Sequence, residues 1–366
     1  MDKLHLRTHL AQLGNRKDPV TGSISAPIYL STTYAHPSMG QSTGYDYTRT
    51  KNPTRATLEE GLALLENGSH AIATSSGMSA IQLVFQLFEP GSQFLVSRDL
   101  YGGSYRYFQW LEDKVQAKFY YFDSMDDFER LINDDITAAF VESPTNPLMK
   151  VFNLKDLAKL THQHQVCLIV DNTLFTPLRQ KPLDLGAQIV VHSGTKFLTG
   201  HNDILAGVIV TNVPEYGEKL TWLANTTGPT LSPFDSWLFI RSLKTLPLRF
   251  DQQEKTAQTL VDNLKEWPDI KEVLYAGQGA MLSLRLKDES LVAKFINHLK
   301  LFTYAESLGG VESLITYPTT QTHADIPKEV RESYGLTPDL VRLSVGLEDA
   351  EDLLKDLAQA LKLCQQ

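Results

Sequence analysis

The sequence predicts an α/β protein with a mostly parallel central sheet and a smaller α+β region at its C-terminal end. Short β-rich runs alternate with longer helical patterns between residues 70 and 191, and strand-like and helical runs follow one another in mixed order after residue 238. The chain has 366 residues, of which 42% are hydrophobic and 21% are charged. This length and composition are those of a globular protein with two packed domains.

The alternation begins with HAIATS at 70–75, a β-rich run, followed by the helical pattern GMSAIQLVFQLF at 77–88. Further strands are predicted at 93–97, 138–141, 166–170 and 189–191, and further helices at 105–114 and 154–164. Strands that alternate with helices form βαβ units, whose parallel strands are covered on both faces.

A helical pattern over 238–267 opens the C-terminal region. Strands are predicted there at 283–288, 311–317 and 341–346, and helices at 290–301 and 349–363. Residues before 49 are rich in Ser, Thr, Gly and Pro and follow neither pattern. We therefore predict an N-terminal arm at 1–48, a larger ligand-binding domain at 49–237 and an α+β domain at 238–366.

Charge and cysteine content exclude several classes of function. The net charge of −9 gives no basic footprint for nucleic acid or for an anionic membrane surface. Cys167 and Cys364 form neither a disulfide framework nor a zinc spacing, and no metal site is expected. No apolar run approaches the roughly 20 residues that span a bilayer, and the first residues lack a signal-peptide pattern. These observations predict a cytoplasmic protein.

Polar side chains follow several of the predicted strands. Ser193, Thr195 and Lys196 come after 189–191, Asp171 comes after 166–170, and Tyr101 lies just beyond 93–97. In open α/β sheets, ligands bind beyond the carboxyl ends of the strands. Each residue alone has an ordinary structural interpretation, because a strand-end Asp often caps a helix and most lysines are solvated. Together they predict one ligand site.

The turn Ser75-Ser76-Gly77-Met78 adds a place for a phosphate. Glycine permits close approach, and the free N–H groups at a helix start attract anions. A phosphate cradle, a lysine amine, a carboxylate and an aromatic ring are what pyridoxal phosphate requires, since the carboxylate keeps its pyridine nitrogen protonated. Alone, the turn is more often a capped helix start.

Eight ordered segments make the prediction specific. They are YDYTRTKNPT (45–54), SSGMSAI (75–81), DLYGGSYR (99–106), ESPTNP (142–147), DNT (171–173), HSGTKFLTGHND (192–203), AESLGGVESLITYP (305–318) and VRLSVGLED (341–349). With them the chain resembles the Cys/Met-metabolism family of pyridoxal-phosphate enzymes over nearly its whole length. The resemblance implies the fold type I architecture, which is similar to that of aspartate aminotransferase, with the cofactor in the 49–237 domain.

The resemblance also implies the roles of the cofactor-site residues. Lys196 would attach the cofactor covalently and act as the base, Asp171 would bind the ring nitrogen, and Tyr101 would stack on the ring and assist catalysis. The remaining cofactor-binding residues would be Ser76, Gly77, Met78, Asn146, Thr173, Ser193 and Thr195.

In the family, the arm reaches a neighbouring subunit, where Tyr47 and Arg49 complete the phosphate site. A planar guanidinium suits a phosphate dianion. The resemblance therefore implies a homo-oligomer with shared active sites, usually a tetramer built from two dimers.

For the substrate, an amino acid, the resemblance implies that Arg342 clamps the α-carboxylate with help from Asn146 and Ser307. Arg342 lies in an otherwise apolar run, where an unpaired charge would be costly. A structural ion pair is the alternative. Glu306 matches family members that act at Cγ and would meet the ammonium group of a cysteine moiety.

The implied reaction is γ-replacement on an O-acylhomoserine, with acetyl favoured over succinyl, in methionine biosynthesis. Cysteine would give cystathionine, and sulfide would give homocysteine. Gly103 stands where methionine γ-lyase-type members carry Cys, and the 307–310 segment lacks the Trp of β-lyase-type members. A lyase that cleaves cystathionine at Cγ or Cβ stays an alternative, and a non-catalytic cofactor-binding protein is a more remote one.

Overall fold

The computed structural model describes residues 4–364. It divides into two compact units, one of residues 1–89 and 181–247 and the other of residues 90–180 and 248–366. The predicted division into 1–48, 49–237 and 238–366 stays a prediction. Residues 1–3 of the predicted arm and 365–366 of the predicted C-terminal domain lie outside the described residues.

The secondary structure alternates as the sequence predicts. In chain order the helices and strands are α1 (Leu6–Gln12), α2 (Pro53–Glu66), β1 (His70–Thr74), α3 (Gly77–Phe85), β2 (Gln93–Ser97), α4 (Gly102–Val115), β3 (Lys118–Phe122), α5 (Met125–Leu131), β4 (Ile136–Glu142), α6 (Leu154–Gln163), β5 (Cys167–Asp171), α7 (Thr176–Arg179), a short 3₁₀ helix (Pro182–Leu185), β6 (Ile189–Ser193), β7 (Gly207–Thr211), α8 (Pro214–Thr227), α9 (Pro233–Leu243), α10 (Leu246–Leu264), β8 (Ile270–Tyr275), β9 (Met281–Leu286), α11 (Leu291–His298), β10 (Thr303–Tyr304), β11 (Leu314–Thr316), α12 (Lys328–Ser333), β12 (Leu340–Ser344) and α13 (Ala350–Cys364).

In the first unit, β7 pairs antiparallel with both β1 and β6, so β1 and β6 run in the same direction. Helix α2 begins at Pro53 because Asn52 caps it, accepting from the N–H groups of Thr54 and Arg55. Ser76 caps α3 in the same way. The carboxyl end of β6 and the start of α3 are thereby fixed by local structure.

In the second unit, β5, β4, β2 and β3 pair in parallel, in that order. Their buried residues are largely Val, Ile, Leu, Phe and Ala, as in parallel strands covered on both faces. The register sets Glu142 beside Asp171 at the carboxyl ends of β4 and β5. The prediction of an α/β fold with a mostly parallel sheet is confirmed.

The second unit also contains a five-stranded sheet in the order β10-β11-β12-β9-β8, which is antiparallel except between β10 and β11. Helices α10, α11 and α13 contribute buried side chains to the same hydrophobic core as β9 and β12. This is the predicted α+β arrangement, and it places Arg342 in the middle of β12.

The helix predicted over 238–267 is in fact two helices, because α9 ends at Leu243 and α10 begins at Leu246. Pro247 explains the break: proline has no N–H to donate to Leu243, and its ring would clash with the Leu243 carbonyl in a continuous helix. No helix in the described part of the chain has an apolar stretch long enough to cross a membrane.

Candidate active site

In the first unit, the turn between β1 and α3 meets the end of β6. The Ser76 Oγ accepts from the Ser79 N–H at 3.0 Å and so begins α3. A Cβ on Gly77 would lie 3.0 Å from the Ser193 Cβ and 3.1 Å from its Oγ, so glycine permits this approach without displacing Ser193. Gly77 and Met78 supply the first amides of α3, which a helix cannot satisfy internally. Amides beside a hydroxyl form a cradle for a phosphate.

Thr195 and Lys196 follow β6 and are fixed by backbone hydrogen bonds. The Thr195 N–H donates to the Ala206 carbonyl at 3.2 Å, and its Oγ1 accepts from the Ala206 N–H at 2.9 Å. The Lys196 N–H donates to the Ser193 carbonyl at 3.3 Å, and the Lys196 carbonyl accepts from the Gly200 N–H at 2.8 Å. Both side chains are half-buried. A lysine at a rigid strand end, partly shielded from water, suits covalent attachment of a carbonyl cofactor.

In the second unit, two carboxyl groups stand side by side at the ends of β4 and β5. Glu142 is buried, whereas Asp171 is half-buried and accepts from the Thr173 N–H at 2.9 Å. Burial, and secondly the negative charge of Asp171, hold the pKa of Glu142 well above its ordinary value. Glu142 is therefore the member of the pair that keeps a proton. The sequence pattern placed Glu142 at the end of a strand but predicted no role for it.

Tyr101 stands at the start of α4 with 39% of its surface exposed, and its N–H donates to the Glu142 Oε1 at 2.8 Å. A Cβ on Gly103 would lie 2.4 Å from the Tyr101 Cε1. No side chain fits at position 103 unless the ring moves. Gly103, which the sequence analysis used to compare reactions, therefore sets where the Tyr101 ring lies.

Arg342 is 1% exposed, and its guanidinium group is bound by neutral oxygens. Nη1 donates to the Asn146 Oδ1 at 2.9 Å, and Nη2 donates to the Ser307 carbonyl at 2.8 Å and the Thr316 Oγ1 at 2.9 Å. Nε is buried without a hydrogen-bond partner among the described residues. Burial lowers the pKa of Arg342 to about 10, and the opposing effects of Tyr101 and Glu306 are smaller. A buried cation without a carboxylate is costly, so the arrangement suits an anionic ligand.

The Glu306–Ser307 segment borders this guanidinium. Ser307 has a φ of 95°, a left-handed conformation that strains an L-residue. Its carbonyl accepts a hydrogen bond from the Arg342 Nη2. Glu306 is exposed and acts on Arg342 through its charge alone. A strained residue thus aims a backbone oxygen at the cation and leaves a carboxylate at the rim.

His323 is a buried residue that the sequence analysis did not consider. Its Nε2 lies 3.1 Å from the Leu100 carbonyl and 3.0 Å from the Asn146 carbonyl. Burial, and secondly the charge of Arg342, lower the pKa of His323 to about 4, so the imidazole is neutral at physiological pH. A lone histidine in a loop gives no signal in the sequence that could have identified this contact.

In the first unit, Tyr47 and Arg49 lie together, with the Arg49 guanidinium 5.8 Å from the centre of the Tyr47 ring. The Arg49 Nη1 donates to the backbone carbonyl of Asn225 and, at 3.1 Å, to its Oδ1. In the described part of the chain these contacts leave the Arg49 charge without a carboxylate. The role of both residues in a neighbouring subunit's phosphate site stays a prediction.

The structure brings the predicted residues together in two groups, each within one unit. The first unit groups Ser76, Gly77, Met78, Ser193, Thr195 and Lys196, and it also holds the pair Tyr47 and Arg49. The second unit groups Tyr101, Asn146, Asp171, Thr173, Glu306, Ser307 and Arg342. The first group fits a phosphate and a carbonyl carbon, and the second fits a protonated ring nitrogen, a ring face and a carboxylate. These are the parts of pyridoxal phosphate and an amino acid.

Comparisons with known proteins agree with this chemistry. The family model described as Cys/Met metabolism PLP-dependent enzyme matches residues 7–362. The cystathionine gamma-synthase/O-acetylhomoserine (thiol)-lyase of Bacillus subtilis is 52% identical over 363 residues, covering 99% of this chain and 97% of the relative. The cystathionine gamma-lyase of the same organism is 43% identical, covering 99% of this chain and 100% of the relative. The crystal structure of cystathionine gamma synthase from Xanthomonas oryzae pv. oryzae, in complex with aminoacrylate and cysteine, is 36% identical with a TM-score of 0.96, covering 99% of both chains.

Proposed function

Because this chain belongs to the Cys/Met metabolism family of pyridoxal-phosphate-dependent enzymes, we propose that it catalyses γ-replacement between an O-acylhomoserine and cysteine, giving cystathionine for methionine biosynthesis. Pyridoxal phosphate is its cofactor. The acetyl ester is favoured over the succinyl ester, and sulfide serves as a second nucleophile that gives homocysteine. The activity for which the Bacillus subtilis relative is named, at 52% identity, supports both nucleophiles and the acetyl ester.

The environment of Arg342 is the observation that most directly supports an amino acid as the substrate. Its guanidinium group is buried and is hydrogen-bonded only to neutral oxygens in the described part of the chain. Its Nε has no hydrogen-bond partner there. An α-carboxylate would provide the missing negative charge and accept charge-assisted hydrogen bonds. The Asn146 Oδ1 already fixes the orientation of the group that would receive it.

The reaction exchanges one bond at Cγ for another. The Cγ–O bond breaks and acetate leaves, while the cysteine sulfur bonds to Cγ and the thiol gives up its proton. The products are cystathionine, acetate and a proton. When bound, pyridoxal phosphate supplies the electron sink that makes the Cα proton acidic.

The residues of this chain would handle protons and orientation. The Lys196 amine would take the proton from Cα and move protons at Cβ. Asp171 would hold the proton on the ring nitrogen, and the protonated Glu142 beside it avoids a second negative charge. Tyr101 would cover the ring face, where Gly103 leaves room for it.

Glu306 supports cysteine as the nucleophile. It is exposed and lies near enough to Arg342 for their charges to interact. A substrate whose carboxylate is held by Arg342 would therefore have a second carboxylate nearby, able to meet the ammonium group of cysteine. Sulfide has no ammonium group, so Glu306 distinguishes the two nucleophiles.

The test is an assay of purified holoenzyme with O-acetylhomoserine or O-succinylhomoserine, each with cysteine or sulfide. We expect cystathionine as the main product from the acetyl ester and cysteine. Glu306→Ala should lower cysteine use about two- to fivefold relative to sulfide use, since an ion pair made by an exposed carboxylate contributes about 0.5–1 kcal/mol. Glu306→Gln, which keeps the size and removes the charge, should show most of the same loss.

The second candidate is a lyase, which the 43% identity to a cystathionine gamma-lyase favours. Efficient cleavage of cystathionine with no synthesis from either ester would establish that function and exclude ours. Equal losses with both nucleophiles in Glu306→Ala would remove Glu306 from the cysteine site.

We also propose a cytoplasmic homotetramer, formed from two dimers with shared sites. Large apolar side chains of the predicted arm are exposed on the single chain, among them Val20, Ile24, Leu30 and Met39. Mixing inactive Arg49→Ala with inactive Lys196→Ala under subunit exchange should restore activity, because one hybrid site is wild type at both positions. Exchange without recovery would place Arg49 outside a shared site.

A further inference from the structure

The peptide group between Leu100 and Tyr101 is bound at both of its polar atoms by buried side chains of the second unit. Its N–H donates to the Glu142 Oε1 at 2.8 Å, and its carbonyl oxygen lies 3.1 Å from the His323 Nε2. Glu142 is 6% exposed and His323 is 0% exposed. A peptide held at both ends cannot rotate, so the start of the Tyr101 side chain is fixed.

The contacts of His323 determine which of its nitrogens carries the hydrogen. Its Nε2 faces two backbone carbonyls, of Leu100 and Asn146, and carbonyl oxygens only accept. Nε2 must therefore be the N–H donor. Nδ1 is then an acceptor, and the Thr322 hydroxyl 2.8 Å away donates to it. The Thr322 hydroxyl thus satisfies Nδ1 in the tautomer that the two carbonyls require.

The Asn146 residue connects His323 to the proposed carboxylate site. The Asn146 backbone oxygen is bound to His323, while the Asn146 side-chain Oδ1 accepts from the Arg342 Nη1 at 2.9 Å. The chain around His323 also packs directly on the Tyr101 segment, because a Cβ on Gly102 would lie 2.2 Å from the Thr322 carbonyl oxygen. One imidazole N–H therefore joins the backbone of Tyr101 to the residue that orients Arg342.

We propose that His323 is a positioning residue of the active site. Its Nε2–H holds the Leu100 and Asn146 carbonyls in one arrangement. It thereby aligns the Tyr101 ring with the Arg342 guanidinium. A substrate carboxylate bound by Arg342 is then correctly placed relative to the cofactor ring that stacks on Tyr101. This inference rests on the proposed roles of Tyr101 and Arg342.

Three variants separate positioning from packing. His323→Leu removes the donor, His323→Gln keeps an amide N–H that can reach the position of Nε2, and Thr322→Val removes the hydroxyl that is bound to Nδ1. Gln253→Leu is the matched control, because the buried Gln253 amide also donates to two backbone carbonyls, of Gly310 and Val345, at 2.7 and 3.0 Å.

Two measurements on the full-length holoenzyme are needed, together with the melting temperature. One is hydrogen–deuterium exchange of the segment that contains the Tyr101 amide, repeated on cofactor-free protein. The other is the pair of constants kcat and KM for the homoserine ester. Losing a buried hydrogen bond shared by two acceptors should change the exchange rate and the two kinetic constants by about ten- to hundredfold each.

In His323→Leu we expect faster exchange of the Tyr101 amide, a higher KM and a lower kcat by that factor. His323→Gln should return the exchange rate, KM and kcat to within about threefold of wild type. Thr322→Val should give values between those of His323→Leu and wild type. Gln253→Leu should lower the melting temperature and leave KM and the exchange at Tyr101 unchanged. If His323→Leu fails to fold, Thr322→Val alone must still raise KM and speed the exchange.

The inference is overturned if His323→Leu lowers the melting temperature as Gln253→Leu does but leaves the Tyr101 exchange and KM unchanged. It is also overturned if His323→Gln gives no recovery. Failure of the proposed function is a separate result. If wild-type protein makes no cystathionine, the exchange at Tyr101 still reports on the Leu100–Tyr101 peptide. Spectroscopic titration of the holoenzyme with glycine, the smallest amino acid with an α-carboxylate, then reports whether His323 positions the carboxylate site.

Discussion

Two arginines of the second unit show opposite solutions to placing a charge inside a protein. Arg179 donates from Nε to Glu254 at 2.8 Å and from Nη2 to Asp251 at 2.8 Å, so two carboxylates surround it. Arg342 is more deeply buried, yet its partners are an amide oxygen, a carbonyl and a hydroxyl.

The pKa directions follow from these partners. Burial alone would lower the pKa of Arg179, but its hydrogen bonds to Glu254 and Asp251, together with their negative charges, outweigh burial and raise that pKa. At Arg342, burial prevails and lowers the pKa to about 10. The difference teaches that Arg179 is satisfied within the fold, whereas Arg342 is oriented by the fold and has no carboxylate among its hydrogen-bond partners in the described residues. That is the condition of a ligand-binding cation.

The largest expected effect distinguishes the two arginines by activity. Arg342→Gln should lower kcat/KM for the homoserine ester about thousandfold, mainly through KM, because a buried charge-assisted pair contributes about 3–5 kcal/mol when broken. Its melting temperature should not fall, since the variant removes an uncompensated buried charge. Steady-state kinetics and thermal unfolding check both parts. Normal KM in Arg342→Gln would show that the substrate carboxylate binds elsewhere.

A second prediction uses His323, which faces the charges of Arg342 and Arg331. Its pKa falls from 6.5 to about 4 in the folded state, so between those values the unfolded chain binds more protons. The stability from this group is therefore complete above pH 6.5 and is lost as pH falls towards 4, by up to about 3 kcal/mol.

Urea unfolding at pH 5 and pH 7 measures this dependence. His323→Gln should remove most of the slope between the two pH values. Arg342→Gln should reduce the slope, because its charge is one cause of the lowered pKa of His323. An unchanged slope in His323→Gln would show that the pH dependence comes from other groups, and an unchanged slope in Arg342→Gln would show that the Arg342 charge does not act on His323.

The smallest effect concerns Arg179. Arg179→Met should lower the free energy of unfolding by about 1–3 kcal/mol, because it leaves two partly buried carboxylates without their cation. kcat/KM should stay within about threefold of wild type, which is less than 1 kcal/mol. A double-mutant cycle with Glu254→Gln checks that the loss belongs to the pair. Loss of activity with unchanged stability would reverse the roles assigned to the two arginines.

The difference between the arginines is only partly visible in the sequence. Arg342 stood out because it interrupts an apolar strand, and Asp171 and Lys196 stood out because they follow strands. The carboxyl ends of parallel strands meet at one edge of the sheet, and ligands bind at that edge. Recognising the strands from their sequence pattern is therefore enough to predict such residues.

The remaining features depend on contacts between distant segments. His323 meets Leu100 across 223 positions and Asn146 across 177. The raised pKa of Glu142 depends on the register of β4 against β5, and the conformation of Ser307 on the packing of its loop. The break at Pro247, in contrast, was available from the sequence, since proline ends a helix by local sterics.

The most direct test of whether Arg342 binds the substrate carboxylate compares the affinities of the holoenzyme for glycine and for glycinamide. Both carry the same amine and differ only in the carboxylate, so spectroscopic titration of the holoenzyme isolates what Arg342 recognises. Wild-type protein and Arg179→Met should bind glycine about a hundredfold more tightly than glycinamide, and Arg342→Gln should bind both equally. If Arg342→Gln still prefers glycine a hundredfold, Arg342 is a structural cation and the carboxylate site lies elsewhere.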